Sequence, residues 1–227
     1  MTGVNPFANS GYGKQSRLLV GLLRGMGHDV NYFTPQLLNS MIQLPDGVKI
    51  MGRSFELDAG DNFFNSFNSA LTYFNPDIVL SLWDAWAITG LVYSTVNRVK
   101  WILYTPIDSE LDDYTIEMNN VLNAPNVSEI WTPATFGVNQ IRKVIRKEMV
   151  DKVFYIPHIV DGNVFKPLPN NTKDKYGLSK YDAVAITVAF NQSERKNLQI
   201  LIAAMSKAMK KLKNGGVNLA WLFWTNP

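Results

Sequence analysis

Short apolar runs rich in β-branched residues recur along the sequence, and a stretch with helical spacing separates each from the next except across residues 157–182. The runs are Val30–Thr34, Asp77–Leu82, Val99–Tyr104, Ser128–Thr132, Lys152–Ile156, Ala183–Ala189 and Val217–Trp224. The helical stretches are Lys14–Met26, Phe63–Phe74, Ala87–Val92, Leu111–Leu122, Phe136–Lys147 and Arg195–Leu212. Runs without polar alternation are the mark of strands buried on both faces, which is the situation of a parallel sheet. Strand and helix in alternation predict an α/β fold built on a parallel sheet, Rossmann-like in style.

Composition narrows this further. With 46% hydrophobic and 18% charged residues, the 227-residue chain reads as globular. Its net charge of +3 is too small to argue nucleic-acid binding, so no nucleic-acid partner is expected. It has no cysteine, which excludes disulfides and thiolate metal sites. No run reaches the roughly 18 apolar residues of a membrane span, and the start does not read as a signal peptide. A soluble, cytoplasmic protein is the expectation. The six Trp, nine Tyr and twelve Phe are read as core residues, and Phe63, Phe64, Phe67 and Phe74 have the spacing of one helix face.

Prolines 157, 167 and 169 with the polar Asn170-Asn171-Thr172 suggest a domain boundary. The expected organisation is an N-terminal domain over 1–168 and a short βαβ unit over 169–227.

In an open parallel sheet, ligands bind beyond the C-terminal ends of the strands. Candidate chemistry is therefore sought at Ser10–Lys14, Trp83-Asp84, Pro106–Asp108, Thr132–Thr135, Pro157–Asp161 and Asn191–Asn197. Gly11-Tyr12-Gly13 opens a helix, where glycines let backbone N–H groups approach a phosphate or a sugar. The same pair also suits an ordinary tight turn. Ser16 and Phe33-Thr34 stand where a dinucleotide fingerprint needs a third glycine and an acid, which disfavours a nicotinamide or flavin oxidoreductase. Asp108 follows a strand end and suits either a base or sugar-hydroxyl acceptor or a helix N-cap. His158 ends another strand, and the two histidines lack carboxylates at metal-ligand spacing. The basic run Arg142–Lys147 reads as a solvated helix face, with peripheral contact to an anionic membrane or acidic partner as the other use. Arg195-Lys196-Asn197 places cations at a helix start, which favours an anion there.

Together, several segments resemble family 4 glycosyltransferases of GT-B fold. They are Asn9–Ser16 with Gly27-His28-Asp29-Val30, Ile156–Pro167, and Asn191-Gln192-x-x-Arg195-Lys196-Asn197. The resemblance implies two Rossmann-like domains, the second an incomplete βαβ unit here. It implies transfer of a sugar from a nucleotide-sugar, such as a UDP- or GDP-sugar, with retention and with neither cofactor nor catalytic metal. In that scheme Arg195, Lys196 and Asn197, with Gly11 and Gly13, hold the donor phosphates. Asp108 takes the catalytic position. Ser10, Tyr12, Lys14 and His158 line the acceptor side or cleft; the acceptor itself is unknown.

Three departures stand out. Phe190 replaces a common Arg. Met1–Ser10 leaves almost no room for a first strand. The later Glu-x(7)-Glu motif has no counterpart before Pro227. Base and ribose recognition is therefore expected to be impaired or supplied by another chain, and the short unit is expected to dock on the first domain or on a second copy, as in a homodimer. The alternative function is a catalytically degenerate scaffold that binds nucleotide or phosphate without turnover.

Overall fold

A computed structural model describes residues 1–53, 62–112, 115–167, 172–189 and 196–225. The chain forms two units, Met1–Val160 and Asp161–Pro227, and the division falls within the proline-bearing segment that follows the last strand of the first.

The first unit is built on an eight-stranded sheet, entered at β1 (Thr2–Gly3). Helix α1 (Gly11–Gly25) leads to β2 (Tyr32–Leu38), a short antiparallel β3 (Met41–Gln43) and β4 (Lys49–Arg53). Helix α2 (Asn62–Phe74) crosses to β5 (Ile78–Leu82). A 3-10 turn (Ala85–Ile88) and α3 (Thr89–Ser94) lead to β6 (Lys100–Tyr104); α4 (Ile116–Leu122) leads to β7 (Val127–Thr132). Helix α5 (Thr135–Val144) and a 3-10 segment (Lys147–Lys152) lead to β8 (Val153–Tyr155).

The strand order is β3-β4-β2-β1-β5-β6-β7-β8, parallel throughout except for the β3–β4 pair. Strand order runs one way from β1 to β2 and the other way from β5 to β8. Right-handed crossovers therefore place α1 on one face and the helices of the β5–β8 half on the other. The apolar clusters confirm the two sides. Phe67 and Leu71 of α2, Leu91 and Val92 of α3, Val121 and Leu122 of α4, and Val138 and Ile141 of α5 pack over Trp101, Leu103 and Ile130. Leu19 of α1 packs with Leu80, Leu82 and Tyr104 on the opposite face.

Several sequence expectations are corrected. A first strand does exist: β1 has only two residues, yet it is central, because Thr2 pairs with Phe33 on one side and Ser81 on the other. Gly3 permits the fit, since a Cβ there would stand 2.6 Å from the Leu82 carbonyl oxygen. Helix α1 starts at Gly11, three residues earlier than its apolar spacing suggests, because Ser10 caps it by accepting the Gly13 amide at 3.1 Å. Its buried face is Gly13, Ser16, Leu19 and Val20, whereas Leu22 and Met26 are exposed. Small residues let α1 lie close to the sheet, and that rotates the leucine stripe outward. Helix α4 begins at Ile116, behind an Asp112–Thr115–Asn119 hydrogen-bond cluster. Asp108 is therefore not its cap. Helix α5 ends at Val144 and not at Lys147. The strand β3 carries no signal that separates it from loop.

The second unit carries α6 (Thr172–Lys175) and a parallel pair, β9 (Ala183–Val188) and β10 (Leu219–Trp224), joined by α7 (Leu198–Asn214). Leu198, Leu201, Met205 and Met209 form the half-buried side of α7, while Lys207, Lys210, Lys211 and Lys213 are exposed. Ile186, Val188 and Trp224 of the strand pair are exposed as well. No described helix is long and apolar enough to cross a membrane.

Trp101 anchors the first unit. It is fully buried, and its indole N–H donates to the Thr95 hydroxyl at 2.9 Å. Removing such a side chain costs roughly 3–5 kcal/mol through lost burial and an unfilled cavity. Trp101→Ala is expected to lower Tm by roughly 8–16 °C in thermal unfolding followed by circular dichroism.

Candidate functional site

Strand order reverses direction between β1 and β5, and the loops leaving their C-terminal ends part to opposite faces. Such a switch point opens a crevice. One hydrogen bond spans it: the Tyr12 hydroxyl in the first turn of α1 donates to Asp84 Oδ1 at 2.7 Å. Asp84 precedes the 3-10 turn without capping it by its side chain, so its carboxylate is available for Tyr12. Burial, then the hydrogen bond to Asp84 and the charges of Asp84 and Asp108, push the Tyr12 phenol above its ordinary range. It stays a neutral donor. Asp108 is exposed and acts on Tyr12 through its charge alone, as the smallest of these causes.

The loop in front of α1 is held from below. Tyr32 donates to the Val4 carbonyl at 2.9 Å and lies 3.0 Å from the Ser16 hydroxyl, and all this is buried. Gly13 packs under the loop: a Cβ there would stand 2.4 Å from Ala8 O and 2.8 Å from Asn5 O. Gly11, by contrast, faces open space. The two glycines thus have different work. Gly13 allows the loop to sit on the helix, and Gly11 keeps the helix N-terminus approachable. Ser10 is engaged as the cap, which takes the amide of Gly13 and not those of Gly11 and Tyr12. Lys14 is exposed on the same turn.

The third wall is the segment after β8. Gln15 grips it through both ends of its amide: Nε2 donates to Ile159 O at 2.9 Å, and Oε1 accepts the Ile159 amide at 2.8 Å. Tyr104, at the end of β6, donates to Ile156 O at 2.8 Å, and its oxygen lies 3.1 Å from His158 Nδ1. A phenol has one proton. With that proton on Ile156 O, His158 Nδ1 must be the donor in its pair, so the neutral imidazole carries its hydrogen on Nδ1 and presents Nε2 as an acceptor. Burial against Tyr104 lowers the His158 pKa, and burial raises that of Tyr104 to about 12.

Ser10, Gly11, Tyr12, Gly13, Lys14, Asp108 and His158 therefore all lie on the C-terminal edge of one sheet. Asp84, Gln15 and Tyr104 join them as the residues that connect its loops, a role the sequence alone did not assign. Among the described residues no cluster suited to a metal ion is present. In the second unit, Lys196 and Asn197 are exposed and lie just before α7, which starts at Leu198 rather than at Arg195. Asn197 has a left-handed backbone, φ 46°, which asparagine tolerates and which turns the chain into the helix. Arg195 and Phe190 lie outside the described residues. On α5, Arg142 donates to Val153 O and Lys143 to Gln140; beyond its end, Arg146 pairs with Glu148 at 3.5 Å.

No family model and no curated protein matches this sequence. Among solved structures it is similar to a sucrose-phosphate synthase from Thermosynechococcus elongatus. The TM-score is 0.70 at 14% identity, over 98% of this chain and 70% of that one. The fold is GT-B-like. The eight-stranded sheet forms a Rossmann-like first unit, and β9-α7-β10 is a βαβ element of the second. The crevice bridged by Tyr12 and Asp84 lies at the C-terminal end of the strands of the first sheet.

Two expected outcomes follow from this geometry. Gly13→Ala drives a methyl into two backbone carbonyls and is expected to cost roughly 1–3 kcal/mol of stability, whereas Gly11→Ala is expected to leave it within about 0.5 kcal/mol. Urea unfolding of the two variants checks this. His158, with its pKa lowered in the folded state, binds fewer protons there than when unfolded. Its contribution is full above the ordinary value near 6.5 and is lost as pH falls below it. The His158 ring protons in an NMR titration are expected to turn over below pH 6.5, and His158→Gln is expected to flatten the fall in Tm between pH 7 and 5.

Proposed function

We propose that this protein is a glycosyltransferase of family 4 type, moving a sugar from a nucleotide-sugar to an acceptor hydroxyl with retention, in the cytoplasm. The observation that carries the reading is the Tyr12–Asp84 bridge across the switch-point crevice, with Asp108 on a loop at the same edge of the sheet, in a chain of GT-B-like fold. Carboxylates and a neutral His158 acceptor suit the hydroxyls of a sugar. The open N-terminus of α1 at Gly11 and Tyr12 offers amide donors to a phosphate.

On the donor side, Lys196 is the exposed cation ahead of α7. In this reading Lys196, with Arg195 and Asn197, stabilises negative charge as the glycosidic C–O bond breaks and the nucleoside diphosphate departs. Asp108 serves the reacting sugar or the acceptor hydroxyl, whose proton is released as the new C–O bond forms. Asp84 and Tyr12 position the two loops and are not assigned a proton-transfer step.

A UDP- or GDP-sugar at about 100 times its Kd is expected to stabilise the fold by about 2.7 kcal/mol. The shift in Tm is read by thermal denaturation with a panel of nucleotide-sugars. Lys196→Ala is expected to abolish the shift, and Asp108→Asn to keep the shift but lower turnover by at least tenfold. No shift with any nucleotide-sugar refutes the donor site. A shift without donor hydrolysis or sugar transfer would instead identify a nucleotide-binding module.

A further inference from the structure

Three of the four tryptophans in the first unit are drawn inward. Trp101 is fully buried, and Trp83 and Trp131 are half-buried. Trp86 is 57% exposed. It stands on the loop that leaves the C-terminal end of β5, two residues beyond Asp84, and that loop is one wall of the crevice that Tyr12 bridges. The backbone on either side of it is pinned. The Ala85 amide donates to the Thr105 hydroxyl at 3.1 Å, a buried pair that ties the turn to the end of β6. The Ala87 amide donates to Asp84 O at 3.0 Å, and the Thr89 hydroxyl donates to Trp86 O at 3.1 Å. Ala85 and Ile88 are buried in the apolar cluster under the turn. A firmly fixed turn therefore presents one large ring to solvent, at the C-terminal end of the sheet.

The same loop carries a free hydrogen-bond acceptor. Asp84 spends Oδ1 on Tyr12, and its Oδ2 is neither buried nor partnered among the described residues. The loops after β5 and β6 bear charge of one sign: residues 83–88 and 105–112 hold Asp84, Asp108, Glu110 and Asp112 and no Lys or Arg. Such a wall repels a phosphate, and a nucleobase that arrives on a phosphate meets the same repulsion. It suits a molecule that is uncharged, rich in O–H donors and apolar on one face. A pyranose has all three properties. Its ring C–H bonds, polarised by the neighbouring oxygens, gather on one face and match the negative face of an indole, while its hydroxyls donate to carboxylates. Amides for a phosphate lie on the other wall, at the N-terminus of α1.

We propose that Trp86 is the stacking platform of an acceptor subsite, and that the acceptor is a neutral saccharide. One pyranose ring lies flat on the indole, and Asp84 Oδ2 accepts a hydrogen bond from one of its hydroxyls. Tyr12 steadies that carboxylate by occupying Oδ1. Because the bridge joins both walls, the group that orients the sugar is itself fixed to the first turn of α1. That the bound sugar is an acceptor rests on the glycosyltransferase proposed above; that a sugar binds at all rests on Trp86 and Asp84.

The probes are the methyl glycosides of glucose, galactose and mannose with the disaccharides maltose and cellobiose, added to the full chain in saturation-transfer NMR. At least one is expected to receive saturation, strongest at the protons of a single ring face. In protein labelled with 5-fluorotryptophan, that sugar is expected to move the Trp86 fluorine resonance, identified by its loss in Trp86→Phe, and not that of buried Trp101. Trp86→Ala is expected to weaken binding about tenfold and Trp86→Phe less. Because Trp86 is exposed, both variants are expected to keep Tm within about 2 °C, so the loss reports the ring and not the fold. Saturation of none of the probes overturns the proposal, as does equal affinity in Trp86→Ala. The Tm shift with a nucleotide-sugar separates the two sites. No sugar binding with that shift intact refutes the saccharide subsite alone; sugar binding at Trp86 without that shift supports the subsite and refutes the donor site.

Discussion

The sheet of the first unit is held together at its centre by two residues. Thr2 and Gly3 form the strand that joins the β2 side to the β5 side among the described residues, with Thr2 pairing to both and Gly3 to Leu82. A side chain at position 3 would collide with the Leu82 carbonyl, so close approach is bought by the absence of a Cβ. Everything at the candidate site inherits its position from this contact. The loop after β1 and the loop after β5 begin at adjacent strands, and they separate because their crossovers go to opposite faces.

Three kinds of contact then hold the separated loops in register with one another. Tyr12 and Asp84 bridge the crevice directly. Tyr104 ties the end of β6 to the segment after β8, and Gln15 ties that segment to α1. Each tie uses a polar side chain on a regular element to fix the backbone or side chain of a loop, so the rigid scaffold sets the geometry of the mobile class of structure. The same ties set protonation. A phenol that must serve Ile156 leaves His158 as the Nδ1–H tautomer, and burial keeps that imidazole neutral over a wider span of pH.

Much of this was legible in the sequence, for a physical reason. Strands β5 and β6 are buried over most of their length on both faces, so Val79–Leu82 and Trp101–Tyr104 appear as short, mostly apolar runs, while β7 shows through Ile130 and Trp131 between polar neighbours. The rule that ligands gather at strand C-terminal ends then pointed to Gly11–Tyr12, Asp108 and His158. What escaped had no local signal. Thr2-Gly3 is too short to show a period. The buried face of α1 is made of Gly13 and Ser16, which look polar or neutral in a hydropathy pattern, while the conspicuous Leu22 and Met26 face solvent. Asp84, Gln15 and Tyr104 matter through partners 72, 144 and 52 residues away, and no spacing rule reaches that far.

The Gln15 grip on Ile159 also sets an order in time. The two residues are 144 positions apart, so the tie cannot form until almost all of the first unit has been made. At translation rates of about 5–20 residues per second, Gln15 waits roughly 7–30 s for its partner. The half of the sheet from β5 to β8 is joined by nearby crossovers and can assemble as each strand emerges. The α1 region is made before strands β2 to β8 and is among the last parts of the first unit to be locked. A chain built this way spends its longest vulnerable interval with the future ligand loop unclasped, and chaperone or protease recognition during synthesis should concentrate there.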